Sequence, residues 1–268
     1  MLRLAATIFV TLRVLTHAGA IDQPRTPSAR DVVLASAEAI GGVDRLRAVH
    51  GVRVEETGME YLVSTVTRAD APPRVIAQTI STLRSGADST LRRTIVQTLP
   101  MRAGSFPSTT VANHGAVAVV RGKALAPATG LDLATTDEEL MLSPERVLLT
   151  ALDAPSLRLD RDTTLGGVVH HVVSLGTGGA GVRLFIDAAS GFPTHLELVR
   201  AYPSNLFWAM WGDLRFMTTW SAWALERNGV WYPRQRRVTL NGAPFREYAV
   251  SSLDLEASIP PDSMVIPD

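Results

Sequence analysis

The sequence predicts an α+β fold in which one antiparallel sheet curls over a few helices. Two short helical patterns open the chain, and strand patterns with a period of two dominate from Gly51 onward. Helices do not alternate with these strands, as they would around a parallel sheet. Asn228-Gly229 and Asn241-Gly242 are the strongest turn signals, because both residue types tolerate the positive φ of two-residue hairpins. These turns predict a three-stranded meander at residues 214–227, 230–240 and 243–256.

The composition is typical of a globular protein and excludes several kinds of site. Of the 268 residues, 46% are hydrophobic, 26 side chains are basic, 26 are acidic, and none is cysteine. The absence of cysteine rules out disulfide scaffolds and thiolate metal sites. The zero formal net charge argues against nucleic acid as a partner, because nucleic-acid-binding surfaces normally carry a basic excess.

The N-terminus has the pattern of a signal peptide. Arg3 precedes an apolar run at residues 4–12, and Ala18-Gly19-Ala20 is a small-x-small cleavage site. The apolar run is shorter than the roughly 20 residues that a membrane-spanning helix needs. We therefore expect a signal peptide at residues 1–20 and a single domain at residues 21–268 without a transmembrane segment. The expected location is the periplasm or the cell exterior.

Capping signals mark the predicted helices. Ser28 and Asp31 fit a capping box, in which a hydroxyl and a carboxylate satisfy free amides at a helix start. The helix that follows ends at Gly41-Gly42. Further helices are predicted at residues 43–49 and 144–152, the latter with Ser143 as its N-cap and Pro144 at its first position.

A glycine-rich segment resembles a nucleotide-binding motif but lacks the required context. Gly176-Thr177-Gly178-Gly179-Ala180-Gly181 matches G-x-G-x-x-G, a motif that binds pyrophosphate only where a helix begins. Residues 182–186 have a strand pattern, so we interpret the segment as a hairpin loop. No cofactor is predicted.

The polar residues predict neither a metal site nor a catalytic site. His170 and His171 are adjacent in a predicted strand and therefore point to opposite faces. No serine stands in G-x-S-x-G, and there is no cysteine nucleophile. The acidic clusters at residues 55–56 and 137–139 are interpreted as solvated faces or helix starts.

The aromatic residues are unevenly distributed. All five tryptophans lie between Trp208 and Trp231, and the strand that begins near residue 214 has large apolar side chains on both faces. Three interpretations remain open: faces covered by protein, an apolar ligand cavity, or a patch for a partner or membrane surface. The candidate ligand-binding residues are Phe216, Met217, Trp220 and Trp223, with Trp208 and Trp211 at the mouth.

Three segments resemble exported lipoprotein-carrier-like domains. The first runs from Ala39-Ile40-Gly41-Gly42 to Val49, the second is Leu184-Phe185-Ile186-Asp187 continuing to Gly191-Phe192-Pro193, and the third is Leu253-Asp254-Leu255 followed by residues 259–264. Over residues 30–268 the chain resembles outer-membrane lipoprotein-sorting carriers. It resembles more closely a domain that precedes metallo-β-lactamase-fold hydrolases in some exported proteins. No hydrolase domain follows in this sequence, so no catalytic residue is carried over.

The resemblance implies an incomplete antiparallel β-barrel that helices close on its concave side, with a hydrophobic cavity for acyl chains. The resulting hypothesis is an exported protein that binds a lipid-like or other apolar ligand, with the transport of that ligand within the envelope as its more specific form. Two alternatives remain: a module that docks an envelope partner through the same aromatic residues, and a hydrolase that uses His170, His195 or Asp187. The second alternative requires these side chains to converge in one cleft.

Overall fold

The computed structural model describes residues 27–62, 74–99, 103–177, 180–201 and 213–266. The predicted signal peptide and the candidate residues Trp208 and Trp211 lie outside these ranges.

Helices occur near the start and in the middle of the described chain. Ser28 caps the first helix, and its side chain and that of Asp31 form the predicted capping box. A second capping box, between Thr129 and Asp132, begins the third helix. The helices are α1 (Ala29–Ala39), α2 (Val43–Ala48), α3 (Gly130–Met141) and α4 (Val147–Asp153), and a short 3-10 helix spans Pro261–Met264.

One antiparallel sheet contains all the described strands. In chain order they are β1 (Val52–Leu62), β2 (Arg74–Ser85), β3 (Thr90–Thr98), β4 (Ser105–Asn113), β5 (Ala116–Arg121), β6 (Ala124–Pro127), β7 (Leu157–Leu159), β8 (Thr163–Leu165), β9 (Val168–Thr177), β10 (Ala180–Asp187), β11 (Pro193–Ala201), β12 (Asp213–Leu225), β13 (Trp231–Leu240) and β14 (Ala243–Asp254). Their spatial order is β6-β5-β4-β3-β2-β1-β14-β13-β12-β11-β10-β9-β7, and β8 also pairs with β9. The sheet is therefore open, with edges at β6 and β7, which agrees with the predicted α+β class.

The sheet is strongly curved. Seven strands that are neighbours in the sheet contribute side chains to one cavity of about 130 Å³. In spatial order they are β3-β2-β1-β14-β13-β12-β11. Laid flat, these strands would span about 29 Å at the usual strand spacing. They reach so small a cavity only because the sheet bends around it, which confirms the predicted incomplete barrel. Helices α1, α2 and α4 pack with β9–β14 into the main hydrophobic core beside this cavity.

Both predicted turns form, but only one is a two-residue hairpin. Asn241 and Gly242 both have positive φ and join β13 directly to β14. At Asn228-Gly229 only Gly229 has positive φ, and the turn lies within the longer connection of residues 226–230. The glycine-rich segment joins β9 to β10, which are antiparallel neighbours, so the hairpin interpretation is also confirmed. Pro233 pairs with β12, and the pairing of β13 with β14 begins only at Gln235. Because proline has no N–H to donate, Pro233 fits this position, where β13 is paired on one side only.

Two helix predictions need correction. Helix α4 begins at Val147, with Arg146 as its N-cap, and not at Pro144. Residues 143–146 form a separate turn, in which the main-chain amides of Arg146 and Val147 donate hydrogen bonds to the main-chain oxygen of Ser143. The Ser143 hydroxyl does not cap the helix but donates to Glu145. Helix α3 was not predicted, because its acidic residues were interpreted as a solvated surface. Its capping box was the sequence signal that could have revealed it.

Gly58 is required by the close approach of two strands. A Cβ atom at this position would lie 1.9 Å from the main-chain oxygen of Glu247 and 2.6 Å from the Tyr248 ring. We expect Gly58→Ala to lower the free energy of unfolding by about 2–3 kcal/mol, because strand β14 must move. Urea unfolding monitored by circular dichroism measures this loss.

Gly181 provides the matched control for Gly58, because it also lies in a strand. There a Cβ would meet its nearest neighbour, Val199, at an ordinary 3.8 Å. Gly181→Ala is expected to change the free energy of unfolding by no more than about 0.5 kcal/mol. Equal losses in the two variants would contradict the steric explanation.

Candidate functional site

The cavity inside the curved sheet combines apolar and charged side chains. Leu142 and Pro144 contribute to its lining from the segment after α3, and α3 itself contributes acidic residues. Among the described residues, five arginines and three glutamates line the cavity: Arg84, Arg93, Arg200, Arg236, Arg246, Glu56, Glu138 and Glu139. Its composition thus differs from the apolar pocket that was expected.

The apolar part of the lining comes mainly from β11, β12 and β14. The rings of Phe216 and Phe245 pack with their centroids 6.1 Å apart. Arg200 lies 5.1 Å from the Phe216 ring centroid, and Arg246 lies 4.4 Å from that of Phe245. These cation–π contacts place guanidinium groups against the same aromatic rings that a ligand chain would touch.

Arg84 forms a bidentate ion pair with Glu145. Its Nε and Nη2 donate to the two carboxylate oxygens of Glu145 at 2.9 and 3.1 Å, and Nη2 also donates to the Tyr232 hydroxyl at 3.2 Å. Arg84 and Glu145 are only 3% and 2% exposed. Burial alone would lower the pKa of Arg84, but Glu145 raises it above its ordinary value, so Arg84 stays charged.

Glu139 connects helix α3 to three strands. Its carboxylate lies 3.3 Å from Arg236 Nη1, 3.6 Å from Arg93 Nη1 and 3.7 Å from Arg84 Nη1. Burial alone would raise the pKa of Glu139, but Arg93, Arg236 and Arg84 outweigh burial and lower the pKa to about 2. Glu139 is therefore a carboxylate throughout the physiological range.

Carboxylates of β1 hold two of the arginines independently of α3. Arg236 Nη2 donates to Glu56 at 2.8 Å, and Arg246 Nε donates to Glu60 at 2.9 Å. Glu56 is buried, which corrects the interpretation of residues 55–56 as a solvated acidic face. Strand β1 therefore supplies fixed partners for Arg236 and Arg246.

Glu138 and Arg200 form a looser pair at the edge of the cavity. Arg200 Nε lies 3.0 Å from Glu138 Oε1. Nevertheless Nε and Nη1 of Arg200 are buried and form no hydrogen bond to any described residue, so the contact lacks hydrogen-bond alignment. Burial raises the pKa of Glu138 to about 7, and Arg200 only partly offsets this effect. Glu138 therefore loses its negative charge as the pH falls through about 7, and the ion pair with Arg200 is then lost.

Of the four predicted ligand-binding residues that the structure describes, two line the cavity. Phe216 and Trp220 line it. Met217 is half-buried and does not line it, because neighbouring strand residues point to opposite faces. Trp223 packs against Phe192, with ring centroids 5.2 Å apart, and against the main hydrophobic core.

Trp223 contacts the main hydrophobic core because the alternation of side chains between the two faces of β12 is interrupted before it. Ala222 has a φ of 53°, and Ser221 and Ala222 are both exposed. This irregularity turns Trp223 to the same side as Trp220, whereas strict alternation would place them on opposite faces.

The charged lining was missed, although the sequence contains a signal for it. Several cavity arginines and glutamates occupy strand positions two residues from a buried apolar residue, such as Glu56 after Val54 and Arg93 after Leu91. Side chains two apart on a strand share a face. A charged residue in phase with the apolar face is therefore the pattern that could have revealed this site.

Of the three residues of the hydrolase alternative, His170 and His195 lie together, with their ring centroids 5.3 Å apart, whereas the Asp187 carboxylate is bound within its own turn. His170 Nδ1 lies 2.9 Å from the Val168 carbonyl oxygen, and the Thr194 hydroxyl lies between His170 Nε2 and His195 Nδ1 at 2.9 and 3.0 Å. Burial and the neighbouring His170 lower the pKa of His195 to about 4. Asp187 instead accepts from main-chain amides of its own turn.

In the part of the chain that the structure describes, no three His, Asp or Glu side chains converge in a group that could hold a metal ion. No helix in those same ranges is long and apolar enough to cross a membrane.

Comparison with known proteins shows the fold. No family model and no curated protein matches the sequence. Among solved structures, a domain assigned to outer-membrane lipoprotein sorting from Vibrio parahaemolyticus matches with a TM-score of 0.50 and 11% identity, over 88% of this chain and 97% of that chain. This likeness confirms the predicted resemblance at the level of fold.

Two further solved structures are more distant. LprF from Mycobacterium bovis matches with a TM-score of 0.31 and 12% identity, over 87% of this chain and 95% of that one. A beta-barrel-like protein of a domain of unknown function from Brucella abortus matches with a TM-score of 0.29 and 14% identity, over 76% and 96% of the two chains.

Proposed function

We propose that this protein is exported to the cell envelope and binds a lipid-like ligand inside its curved sheet. The observation that carries the proposal is the cavity wall on β11, β12 and β14, where Phe216, Phe245 and Leu198 line one cavity. Burying apolar ligand surface there would contribute about 25 cal/mol per Å² to binding. The carrier-like fold and the signal-peptide pattern of residues 1–20 support the envelope location.

Helix α3 is the cover that must move for a chain to enter. A cavity of about 130 Å³ is close in size to those that take up a benzene-sized molecule, ~150 Å³, and is too small for a whole acyl chain. Helix α3 is attached to the sheet by Glu138 and Glu139 and by Leu140, which packs on Leu91. Two of its other apolar side chains, Leu133 and Met141, remain exposed. Few apolar contacts would therefore be lost if α3 moved aside.

Native mass spectrometry of the full-length gene product, recovered from a periplasm, tests the proposal. We expect a polypeptide mass that corresponds to cleavage after Ala20, together with a bound acyl-chain species that lipid extraction identifies. A ligand-free protein that also gives no calorimetric signal with dodecanoate or its methyl ester would refute ligand binding. A protein retained in the cytoplasm with its N-terminus intact would refute export.

Neighbouring residues of β12 offer a matched pair of variants. Phe216 lines the cavity and Met217 does not. We expect Phe216→Ala to weaken binding of the methyl ester of dodecanoate by about tenfold or more, the loss that corresponds to an uncovered aromatic side chain. Met217→Ala is expected to leave the affinity unchanged. Circular dichroism confirms that both variants are folded, and equal effects on binding would place the ligand elsewhere.

A further inference from the structure

Helix α3 supplies the carboxylate partners of two cavity arginines. Among the described residues, the ion-pair partner of Arg93 is Glu139 and that of Arg200 is Glu138. Neither arginine forms a hydrogen bond to a described residue, and the Nε of Arg93, a side chain only 8% exposed, is buried without a partner. Buried donors normally have an acceptor, so both guanidinium groups are under-satisfied.

The other three arginines keep a carboxylate partner whatever the position of α3. Glu145, Glu56 and Glu60 lie outside α3 and hold Arg84, Arg236 and Arg246 respectively. A movement of α3 that admits a ligand therefore uncovers two positive charges, those of Arg93 and Arg200. An uncompensated charge in such a site is costly unless the ligand itself brings negative charge.

We propose that the ligand is an acyl-chain amphiphile with an anionic head group, carboxylate or phosphate, which replaces Glu138 and Glu139 at Arg200 and Arg93. The inference rests on the proposed function and adds the charge of the head group to it. In the closed protein the α3 carboxylates occupy the place of that group. The ligand and α3 therefore compete for the same two guanidinium groups, and the apolar wall beside them receives the chain.

Protonation of Glu138 adds a pH dependence. The charged groups around it are Arg200 of β11, Arg246 of β14, and Glu139 and Asp137 of α3 itself. Burial raises the pKa of Glu138 to about 7, so mild acid neutralises it while Arg200 stays charged. We expect dodecanoate, whose carboxylate stays ionised, to bind more tightly at pH 6 than at pH 8. Glu138→Gln removes this difference.

Isothermal titration calorimetry with dodecanoate, its neutral methyl ester and acetate tests the head group. We expect dodecanoate to bind about tenfold more tightly than the ester, and acetate alone to bind far more weakly. Arg93→Met and Arg200→Met should each weaken the binding of dodecanoate more than that of the ester, and so remove most of this preference. Arg92→Met is the matched control, because Arg92 is the exposed neighbour of Arg93 on the same strand.

A second variant keeps the test valid if an arginine replacement impairs folding. Glu138→Gln removes a competing charge, so at pH 8 it should raise the affinity for dodecanoate several-fold more than that for the ester. Equal affinity for dodecanoate and ester would overturn the head-group inference while leaving the proposed function intact. Binding of acetate as tightly as dodecanoate would also overturn it, since the site would then recognise a free anion. Absence of binding by both dodecanoate and the ester would refute the proposed function itself.

Discussion

Replacement of Arg84 by methionine is expected to lower the free energy of unfolding by about 3–5 kcal/mol, the cost of leaving a buried charge without its partner. Glu145 is 2% exposed and would keep only the hydroxyl donor of Ser143. Tyr232 would also lose its hydrogen bond from Arg84. Such a loss is a large part of the stability of an ordinary domain, and urea unfolding at neutral pH measures it.

The double variant Arg84→Met/Glu145→Leu distinguishes a lost charge partner from lost packing. Because it removes both charges, it should be more stable than Arg84→Met alone by at least about 2 kcal/mol. Arg92→Met, on the exposed face of β3, is the control and should change stability by less than about 0.5 kcal/mol. If the losses of the two single variants simply add in the double variant, the buried pair is not the reason for the effect.

The elements that were predicted correctly depend on contacts between residues close in sequence. The capping box of Ser28 and Asp31 involves residues three apart, and it forms as expected. The turn at Asn241-Gly242 depends on the φ angles that these two residues tolerate. Such signals do not need the rest of the fold. The meander of β12, β13 and β14 was therefore predictable in its order and nearly in its bounds.

The start of α4 was misplaced because it depends on a partner distant in sequence. Glu145 lies two residues after Ser143, yet its partner Arg84 is 61 residues away. The two residues bind each other in a turn, and the helix starts only at Val147. Local capping propensity was overridden because a buried carboxylate requires its cation.

The candidate site was predictable only in part for the same reason. The alternation of β12 put Phe216 and Trp220 on one face of the strand, and both line the cavity. Trp223 was misplaced because a single positive φ at Ala222 reverses the alternation. The arginines were overlooked because their partners come from other strands and from α3. Carboxylate partners stabilise these buried guanidinium groups, and the sequence alone does not show which carboxylates they are.

Adjacent carboxylates on α3 are expected to respond to substitution in opposite ways. The pKa of Glu139 is lowered to about 2, and that of Glu138 is raised to about 7, from an ordinary value of 4.5 for both. Burial raises the pKa of both carboxyl groups. At Glu139 the three neighbouring arginines outweigh burial, whereas at Glu138 burial outweighs the effect of Arg200. Ionisation of Glu139 therefore stabilises the fold, and ionisation of Glu138 destabilises it.

Glu139→Gln should lower the free energy of unfolding by about 3 kcal/mol at neutral pH, the value of its pKa shift at 1.36 kcal/mol per unit. The contribution of Glu139 is complete above the unfolded-state pKa of 4.5 and is lost as the pH falls toward about 2. The difference between variant and natural protein should therefore shrink between pH 4.5 and the acid limit of folding. Urea unfolding at a series of pH values follows it, and a difference that is constant with pH would contradict this explanation.

Glu138→Gln, in contrast, should raise the free energy of unfolding above pH 7, by about 2 kcal/mol once solvent screening of its partly exposed side chain is allowed for. A carboxyl group with a raised pKa holds its proton more tightly in the folded state, so ionisation costs stability as the pH rises from 4.5 to about 7. Glutamine avoids that cost, and the advantage of the variant should vanish at pH 4.5 and below. The same helix would then carry one carboxylate that locks it to the sheet and one that loosens it. A destabilised Glu138→Gln variant at pH 8 would show that Arg200 holds α3 closed through this pair, and that α3 does not open as readily as ligand entry requires.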